Sequence, residues 1–193
     1  MIVIIDYGAG NTRSVMNALD RLGSVYELTD DPSKILAAEK VIFPGVGHAG
    51  HAMQSLRDQD LVDVIRGIKQ PLLGICVGMQ LLFDRSEEGD TECLGIINGT
   101  VTKFNEDNVI VPQMGWNTNI ISNNKLFKGL QESVYFYAVH SYRVDVCDNT
   151  IATSLYDTEY ASAVQFNNFY GVQFHPEKSS KDGQLILKNF IEL

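Results

Sequence analysis

Short apolar runs alternate with amphipathic stretches through the first half of the chain. The runs are rich in Val, Ile and Leu, which is typical of strands buried in a parallel sheet. The stretches between them place apolar residues at helical spacing, so we predict helices there. The predicted strands are 1–6, 25–28, 40–43 and 71–75, and the predicted helices are 11–22 and 51–68. Strands that alternate with helices indicate an α/β domain.

In the second half, strand-like runs follow one another with Asn, Asp and Gly turns between them. They are 96–97, 100–104, 109–111, 134–146, 151–155, 161–166 and 170–174, and a closing helix is predicted at 183–191. The sequence has no evident repeat or linker, and its 193 residues are enough for one substantial core. We therefore expect a single α/β domain, 1–193. Its central sheet should be mostly parallel and flanked by helices, with additional antiparallel strands in the second half.

Cys76 stands between Gly74 and Gly78, after an apolar run and before a predicted helix. A strand that turns sharply into a helix presents a nucleophile, and flanking glycines remove side chains that would collide in such a turn. The start of a helix also favours a thiolate. The alternative is a buried cysteine that packs as a small hydrophobe, which is our interpretation of Cys93 and Cys147.

A nucleophilic cysteine needs a base, and His175 is the strongest candidate among the four histidines. It ends a strand-like run, and Pro176 after it fixes the backbone and stops the ladder. Glu177 lies two residues on, where its carboxylate can orient the imidazole and stabilise the imidazolium. Without Cys76, the same histidine would be interpreted as an ordinary surface residue at a strand end. With Cys76, the three residues fit a catalytic triad.

Another apolar strand, at 41–43, ends in a Pro-Gly-Val-Gly loop at 44–47. The backbone amides of Val46 and Gly47, with that of Val77 after the cysteine, are candidates for an oxyanion hole. The alternative is an ordinary turn at the end of a strand. The nearby cysteine motif is what favours the catalytic interpretation.

Composition narrows the possible partners and the compartment. The formal charge of −9 argues against a nucleic-acid partner, because phosphate contacts require clustered Lys and Arg. No apolar stretch approaches the roughly 20 residues of a membrane span, and no leader pattern opens the sequence. Three cysteines without regular spacing argue for a reducing compartment, so we expect a cytoplasmic protein.

Taken together, these motifs resemble the class I (triad) glutamine amidotransferases, and the resemblance covers essentially the whole chain. It rests on Asp6-Tyr7-Gly8-Ala9-Gly10-Asn11, Pro44-Gly45-Val46-Gly47, Gly74-Ile75-Cys76-Val77-Gly78-Met79-Gln80-Leu81, Met114-Gly115-Trp116-Asn117, Val139-His140-Ser141-Tyr142 and Phe174-His175-Pro176-Glu177-Lys178-Ser179. The resemblance implies a flavodoxin-like core and hydrolysis of L-glutamine through a glutamyl thioester, without a metal or cofactor. Pro-Gly-Val, where many relatives have Pro-Gly-Gly, favours the branch that serves histidine biosynthesis.

The resemblance also implies roles for residues outside the triad. Glutamine would be held by Gln80, Glu88 and backbone groups around Gly47 and His140, Ser141 and Tyr142. The ammonia would pass to a separate (βα)₈-barrel cyclase, with which the chain forms a heterodimer. Residues Asn11, Trp116, Tyr137 and Lys178 would face that partner. Trp116, the only tryptophan, is equally consistent with a core residue.

Two positions depart from the family pattern. His48 stands where a small or hydroxyl residue is more common, and Gln113 stands where a histidine is common. Both leave the triad intact, and they bear on the partner interface or on the approach to the site. Three other functions stay open at this point: a subunit that feeds another synthase, for example in surface-sugar biosynthesis, a stand-alone cysteine hydrolase, and a binding module with a vestigial site.

Overall fold

A mixed β-sheet forms the centre of the protein. The structure, a computed structural model, describes residues 1–8 and 10–193; Ala9, part of the first motif, lies outside the described residues. The strands of this sheet are β1 (Ile2–Ile5), β2 (Tyr26–Thr29), β3 (Lys40–Gly45), β4 (Leu72–Cys76), β8 (Gln113–Ile121), β9 (Ser133–His140), β11 (Thr150–Leu155), β12 (Glu159–Phe166) and β13 (Phe169–Val172). Within the described residues these nine strands join in the order β2-β1-β3-β4-β13-β12-β11-β8-β9.

The sheet has a parallel half and an antiparallel half. Strands β1 to β4 and β13 pair in parallel, whereas β12, β11, β8 and β9 add to β13 in antiparallel order. The prediction of a parallel sheet extended by antiparallel strands is therefore confirmed. A smaller sheet consists of β5 (Phe83–Ser86), β6 (Thr91–Glu92), β7 (Ile97–Lys103) and β10 (Tyr142–Val144), which the described chain joins in the order β10-β7-β5-β6.

The helices follow the strands of the parallel half and close the chain. They are α1 (Thr12–Arg21), α2 (Pro32–Ala37), α3 (Ala49–Asp58), α4 (Leu61–Gly67), α5 (Val77–Gln80) and α6 (Ser180–Ile191), with 3-10 turns at Lys125–Phe127 and Pro176–Lys178. Helix α1 buries the apolar stripe Val15, Ala18 and Leu19, as its periodicity predicts. The buried apolar residues of the described chain form a continuous core along the sheet.

Several predicted element boundaries are wrong. The helix predicted at 51–68 is two helices, because Asp60 takes a left-handed conformation with φ 56° and separates them. The strand predicted at 109–111 is irregular backbone after a turn at 106–108, and the run 134–146 divides into β9 and β10. The helix after Cys76 is a single turn. No helix within the described residues is long and apolar enough to cross a membrane.

Candidate active site

Most of the predicted site residues line one cavity of about 490 Å³, whereas Glu177, Trp116 and Tyr137 lie outside its lining. Gly45, at the end of β3, lies opposite Cys76, at the end of β4, because the two strands are in parallel register. The carboxyl ends of parallel strands are where such sheets bind ligands. The predicted residues that line the cavity are Asn11, Val46, Gly47, Cys76, Val77, Gln80, Glu88, His140, Ser141, Tyr142, His175 and Lys178.

Cys76 has a strained backbone, as a nucleophile at a sharp turn requires. Its φ is 54° and its ψ is −111°, a conformation that residues with a side chain rarely adopt. The turn packs directly against neighbouring backbone atoms, with no side chain between. A Cβ at Gly78 would lie 2.0 Å from the carbonyl oxygen of Phe43, and a Cβ at Gly74 would lie 2.6 Å from that of Gly78. The flanking glycines are therefore required by close packing of α5 on β3 and β4.

His175 and Glu177 form a buried pair beside the cysteine. Nδ1 of His175 lies 2.8 Å from Oε1 of Glu177, and both side chains are nearly inaccessible. The carboxylate accepts a hydrogen bond from the N–H at Nδ1, so Nε2 is the nitrogen that can take the thiol proton. Among the described residues, Nε2 of His175 is buried and has no hydrogen-bond partner.

The proton affinity of His175 is set by opposing effects. Burial lowers the pKa of His175, but the Cys76 sulfur and the Glu177 carboxylate together outweigh burial and raise this pKa to about 10, from 6.5. The imidazole is consequently protonated at neutral pH when it faces a thiolate. This arrangement suits a thiolate–imidazolium pair.

The Cys76 sulfur has two further polar neighbours. The backbone oxygen of Val139 lies 3.7 Å from Sγ, and Nε2 of Gln173 also lies 3.7 Å from it. The sequence analysis did not select Gln173. Its signal was a single polar residue in the otherwise apolar run 170–174, and the structure buries it completely.

The loop at 44–47 is anchored below the cavity. The hydroxyl of Tyr7 donates to the carbonyl oxygen of Pro44 at 2.8 Å. Burial and the nearby Cys76 raise the pKa of Tyr7, so the hydroxyl keeps its proton and remains a donor. Above this anchor, Gly47 has φ +90° and Val46 is exposed. The two amides predicted for the oxyanion hole thus lie on a turn whose base is fixed.

The side chains predicted to bind glutamine, Gln80 and Glu88, make hydrogen bonds within the protein. Nε2 of Gln80 donates to the backbone oxygen of Tyr142 at 3.0 Å and to Oε1 of Gln173 at 2.9 Å. Glu88 accepts the backbone N–H of Ala49 at 2.7 Å, at the start of α3. These contacts place both side chains at the cavity wall and fix their orientation.

His140 supports the wall from inside the protein. Its Nδ1 donates to the backbone oxygen of Tyr142 at 2.8 Å, and the Tyr160 hydroxyl lies 3.4 Å from its Nε2. Burial lowers the pKa of His140 to about 4, so the ring is neutral at pH 7. His140 lines the cavity together with Ser141 and Tyr142, and its ring is held in the buried network behind it.

The residues predicted to face a partner lie at the protein surface near the cavity. Trp116 is 54% exposed, so it is not a core residue. It lies opposite Tyr137 in the β8–β9 register, and the ring centroids are 6.4 Å apart. The ammonium group of Lys178 lies 5.9 Å from the centroid of the Tyr137 ring. Asn11 caps α1 through its side chain and also lines the cavity.

The chain is similar to known proteins over its whole length. Residues 3–193 match the family model "Glutamine amidotransferase class-I". The chain belongs to this family. It is 46% identical to "Imidazole glycerol phosphate synthase subunit HisH" of Haemophilus influenzae, covering 99% of this chain and 96% of the relative. The protein of the same name from Bacteroides thetaiotaomicron is 46% identical, with 100% and 99% covered.

A solved structure agrees in fold. A crystal structure described as a glutamine amidotransferase superposes with a TM-score of 0.76, at 19% identity, over 100% of this chain and 98% of the other. At that identity the likeness supports the fold alone. The family model confirms the membership expected from the motifs, and the superposition confirms the α/β fold. The protein is a glutamine amidotransferase.

Both departures from the family pattern have a structural place in this amidotransferase. Nδ1 of His48 accepts the backbone N–H of Gly50 at 3.0 Å and so caps the first turn of α3. Gln113 accepts the hydroxyl of Tyr160 at 3.1 Å, in the buried network around His140. Each residue satisfies polar groups of the fold, and neither contacts the triad.

Sequence reasoning missed one further residue that positions His175. The hydroxyl of Ser179 donates to the backbone oxygen of His175 at 2.7 Å and accepts the backbone N–H of Tyr137 at 2.9 Å. The N–H of His175 donates to the oxygen of the same Tyr137 at 2.8 Å. The histidine backbone of this amidotransferase is thereby fixed to strand β9 on both sides. A buried serine after a loop carries no sequence signal for such a role.

Proposed function

We propose that this chain is the glutaminase subunit of an imidazole glycerol phosphate synthase. It hydrolyses L-glutamine to glutamate and ammonia and delivers the ammonia to a separate (βα)₈-barrel cyclase. The observation that carries the chemistry is the convergence of Cys76, with its strained backbone, and the His175–Glu177 pair on one cavity. The relatives that share nearly half of the sequence support the choice of synthase.

The first chemical step forms a thioester. The thiol proton of Cys76 passes to Nε2 of His175, and the resulting thiolate attacks the side-chain carbonyl carbon of glutamine. Glu177 holds the imidazole in the tautomer that accepts this proton and stabilises the imidazolium that forms. The carbonyl oxygen becomes negative and is stabilised by the backbone amides of Val46, Gly47 and Val77.

The second step releases ammonia and regenerates the enzyme. His175 returns the proton to the departing nitrogen, the C–N bond breaks, and a glutamyl thioester remains on Cys76. Water, deprotonated by His175, then hydrolyses the thioester to glutamate. Gln80, Glu88 and the backbone of 140–142 orient the amino-acid end of the substrate in the cavity.

The ammonia must reach its acceptor without meeting bulk water. In water at neutral pH it is protonated to ammonium, which has no lone pair for nucleophilic attack. The partner therefore docks over the cavity, on the surface formed by Asn11, Trp116, Tyr137 and Lys178. An exposed tryptophan beside a tyrosine and a lysine is suited to the centre of a protein interface.

The partner also sets the rate. We place the control in the loop at 44–47, whose glycines allow its amides to turn toward or away from the substrate carbonyl. Cyclase binding shifts the loop population toward the oriented state, which is a coupling free energy between two sites. The chain is one domain, 1–193, and acts as one subunit of a heterodimer. We place it in the cytoplasm, where reducing conditions keep its thiols free.

Glutamate release by the purified chain tests this proposal. It is measured alone, with an imidazole glycerol phosphate cyclase, and with the cyclase plus its ribonucleotide ligand. Cys76→Ala is the control. We expect little release from the isolated chain, strong activation in the complex, and none in the variant. Release that the cyclase leaves unchanged would point to another synthase or a stand-alone hydrolase, and no release under any condition would overturn the glutaminase assignment.

A further inference from the structure

Gln173 is a buried polar side chain that the mechanism above does not use. It follows strand β13, whose last residue, Val172, lies opposite Ile75 of β4. Gln173 is therefore the neighbour of Cys76 across the parallel ladder. Its side chain is fully buried, so each of its polar groups needs a partner inside the protein.

The hydrogen bonds fix which end of the Gln173 amide faces the sulfur. The backbone oxygen of Tyr142 can only accept, so the atom of Gln80 that bonds to it at 3.0 Å must be the amide nitrogen. The same nitrogen lies 2.9 Å from Gln173, whose facing atom must consequently be the oxygen. The NH₂ group of Gln173 is left to point at Sγ of Cys76, at 3.7 Å.

This chain of bonds begins at a backbone carbonyl and ends at the nucleophile. We propose that Gln173 is a further catalytic residue, whose side-chain N–H donates to Sγ of Cys76 and favours the thiolate. The inference rests on the proposed role of Cys76 as the nucleophile. An N–H donor stabilises an anionic acceptor more than a neutral one, so the bond strengthens when the thiol loses its proton.

The sulfur has Gln173 as a donor neighbour in both protonation states. As a thiol it donates to the backbone oxygen of Val139, at 3.7 Å. As a thiolate it can no longer donate to Val139, and it accepts from Gln173, whose N–H already faces it. Proton transfer from Cys76 to His175 therefore removes the acceptor partner and leaves Gln173 as a neutral donor to the charged sulfur.

Alkylation of Cys76 by iodoacetamide as a function of pH tests this role without substrate. The modified peptides are separated, so that Cys93 and Cys147 do not contribute. We compare the wild type with Gln173→Met, which keeps the volume and removes the donor. Gln165→Met is the matched control, because Gln165 lies on the next strand, β12, and bonds to Asn124 and Tyr170 instead.

The expected result is specific to thiolate stabilisation. At pH 7, Gln173→Met should react about tenfold more slowly than the wild type, the loss of one hydrogen bond to a charged group. At alkaline pH, once the thiol is ionised in both proteins, the two rates should converge. The isosteric Gln173→Glu, which puts a carboxylate beside the sulfur, should react more slowly still at pH 7. If Gln173→Met does not fold, the comparison of Gln173→Glu with the wild type provides the test.

Two results would overturn the proposal. One is a Gln173→Met profile that matches the wild type at every pH. The other is a rate lowered by the same factor at every pH, which would mean altered access to the sulfur. Failure of the proposed glutaminase role is distinguishable, because it would appear in the separate assay as no glutamate release under any condition, or as release that survives in Cys76→Ala.

Discussion

Gly78 offers a direct test of how the fold holds the nucleophile. Its replacement by alanine adds one methyl group where α5 crosses β3. That Cβ would lie 2.0 Å from the carbonyl oxygen of Phe43, whereas ordinary contacts begin near 3.4 Å. The clash is with backbone, so it cannot be relieved by a rotamer change. The turn that carries Cys76 has to move by more than about 1 Å.

The geometry sets the size of the expected effects. Overpacking of this kind costs about 3 kcal/mol of unfolding free energy. For a chain of this length that corresponds to a Tm about 6 to 12 °C lower. Because the displaced turn positions the reacting sulfur, we also expect kcat for glutamate release to fall about 100-fold, the usual consequence of an error of about 1 Å in an active site.

Gly67→Ala is the matched control. Gly67 ends helix α4 and is exposed, and a Cβ added there would point into open space. This substitution should leave activity unchanged and raise the unfolding free energy by up to about 1 kcal/mol. Thermal melts and steady-state kinetics on the folded fraction measure both effects. A Gly78→Ala protein with the Tm and kcat of the wild type would refute this account of the turn.

Two further predictions concern buried polar residues around the site. Ser179→Ala leaves the N–H of Tyr137 and the oxygen of His175 without their partner, so kcat should fall about tenfold with little change in KM, and Ser179→Thr should restore it. A rise in KM alone, measured by steady-state glutamate release, would contradict a positioning role. His140→Gln removes a group whose pKa is lower in the folded state, about 4, than in the unfolded chain, 6.5. The unfolded state binds the proton first as pH falls, so the wild type loses stability below pH 6.5. Between pH 7 and pH 5 this loss is about 2 kcal/mol in urea unfolding, and the variant should lack it. An equal pH dependence in both proteins would refute the assignment.

The catalytic centre was predictable because its chemistry requires particular local sequences. A cysteine at a sharp strand-to-helix turn needs glycines on both sides, and Gly74 and Gly78 make close backbone contacts. His175 and Glu177 are two residues apart, so their pairing is a local property of the chain. The loop at 44–47 follows a buried parallel strand, and parallel strands bring their carboxyl ends to one edge.

Strand β8 was missed because its pattern is inverted. It buries the polar side chains of Gln113 and Asn119 and exposes Met114 and Trp116. A search for apolar residues on the buried face of a strand fails on such a segment. The inversion has a functional counterpart, since the exposed apolar face is the surface on which we place the partner.

The remaining failures arise from tertiary contacts. Helices α3 and α4 share one apolar periodicity, and only the left-handed conformation of Asp60 separates them. Gln173 and Ser179 act through bonds to residues distant in the sequence, from β4 and β9. Long-range pairs of this kind leave no periodic or motif signal in a single sequence.

The central claim is that Cys76 forms a covalent bond to the glutamyl group. Rapid acid quench of the activated complex turning over glutamine, followed by peptide mass spectrometry, measures this directly. The account predicts one added glutamyl group on the peptide that carries Cys76, and the loss of both adduct and turnover in Cys76→Ala. Turnover that survives in the variant, or an adduct confined to Cys93 or Cys147, would contradict it.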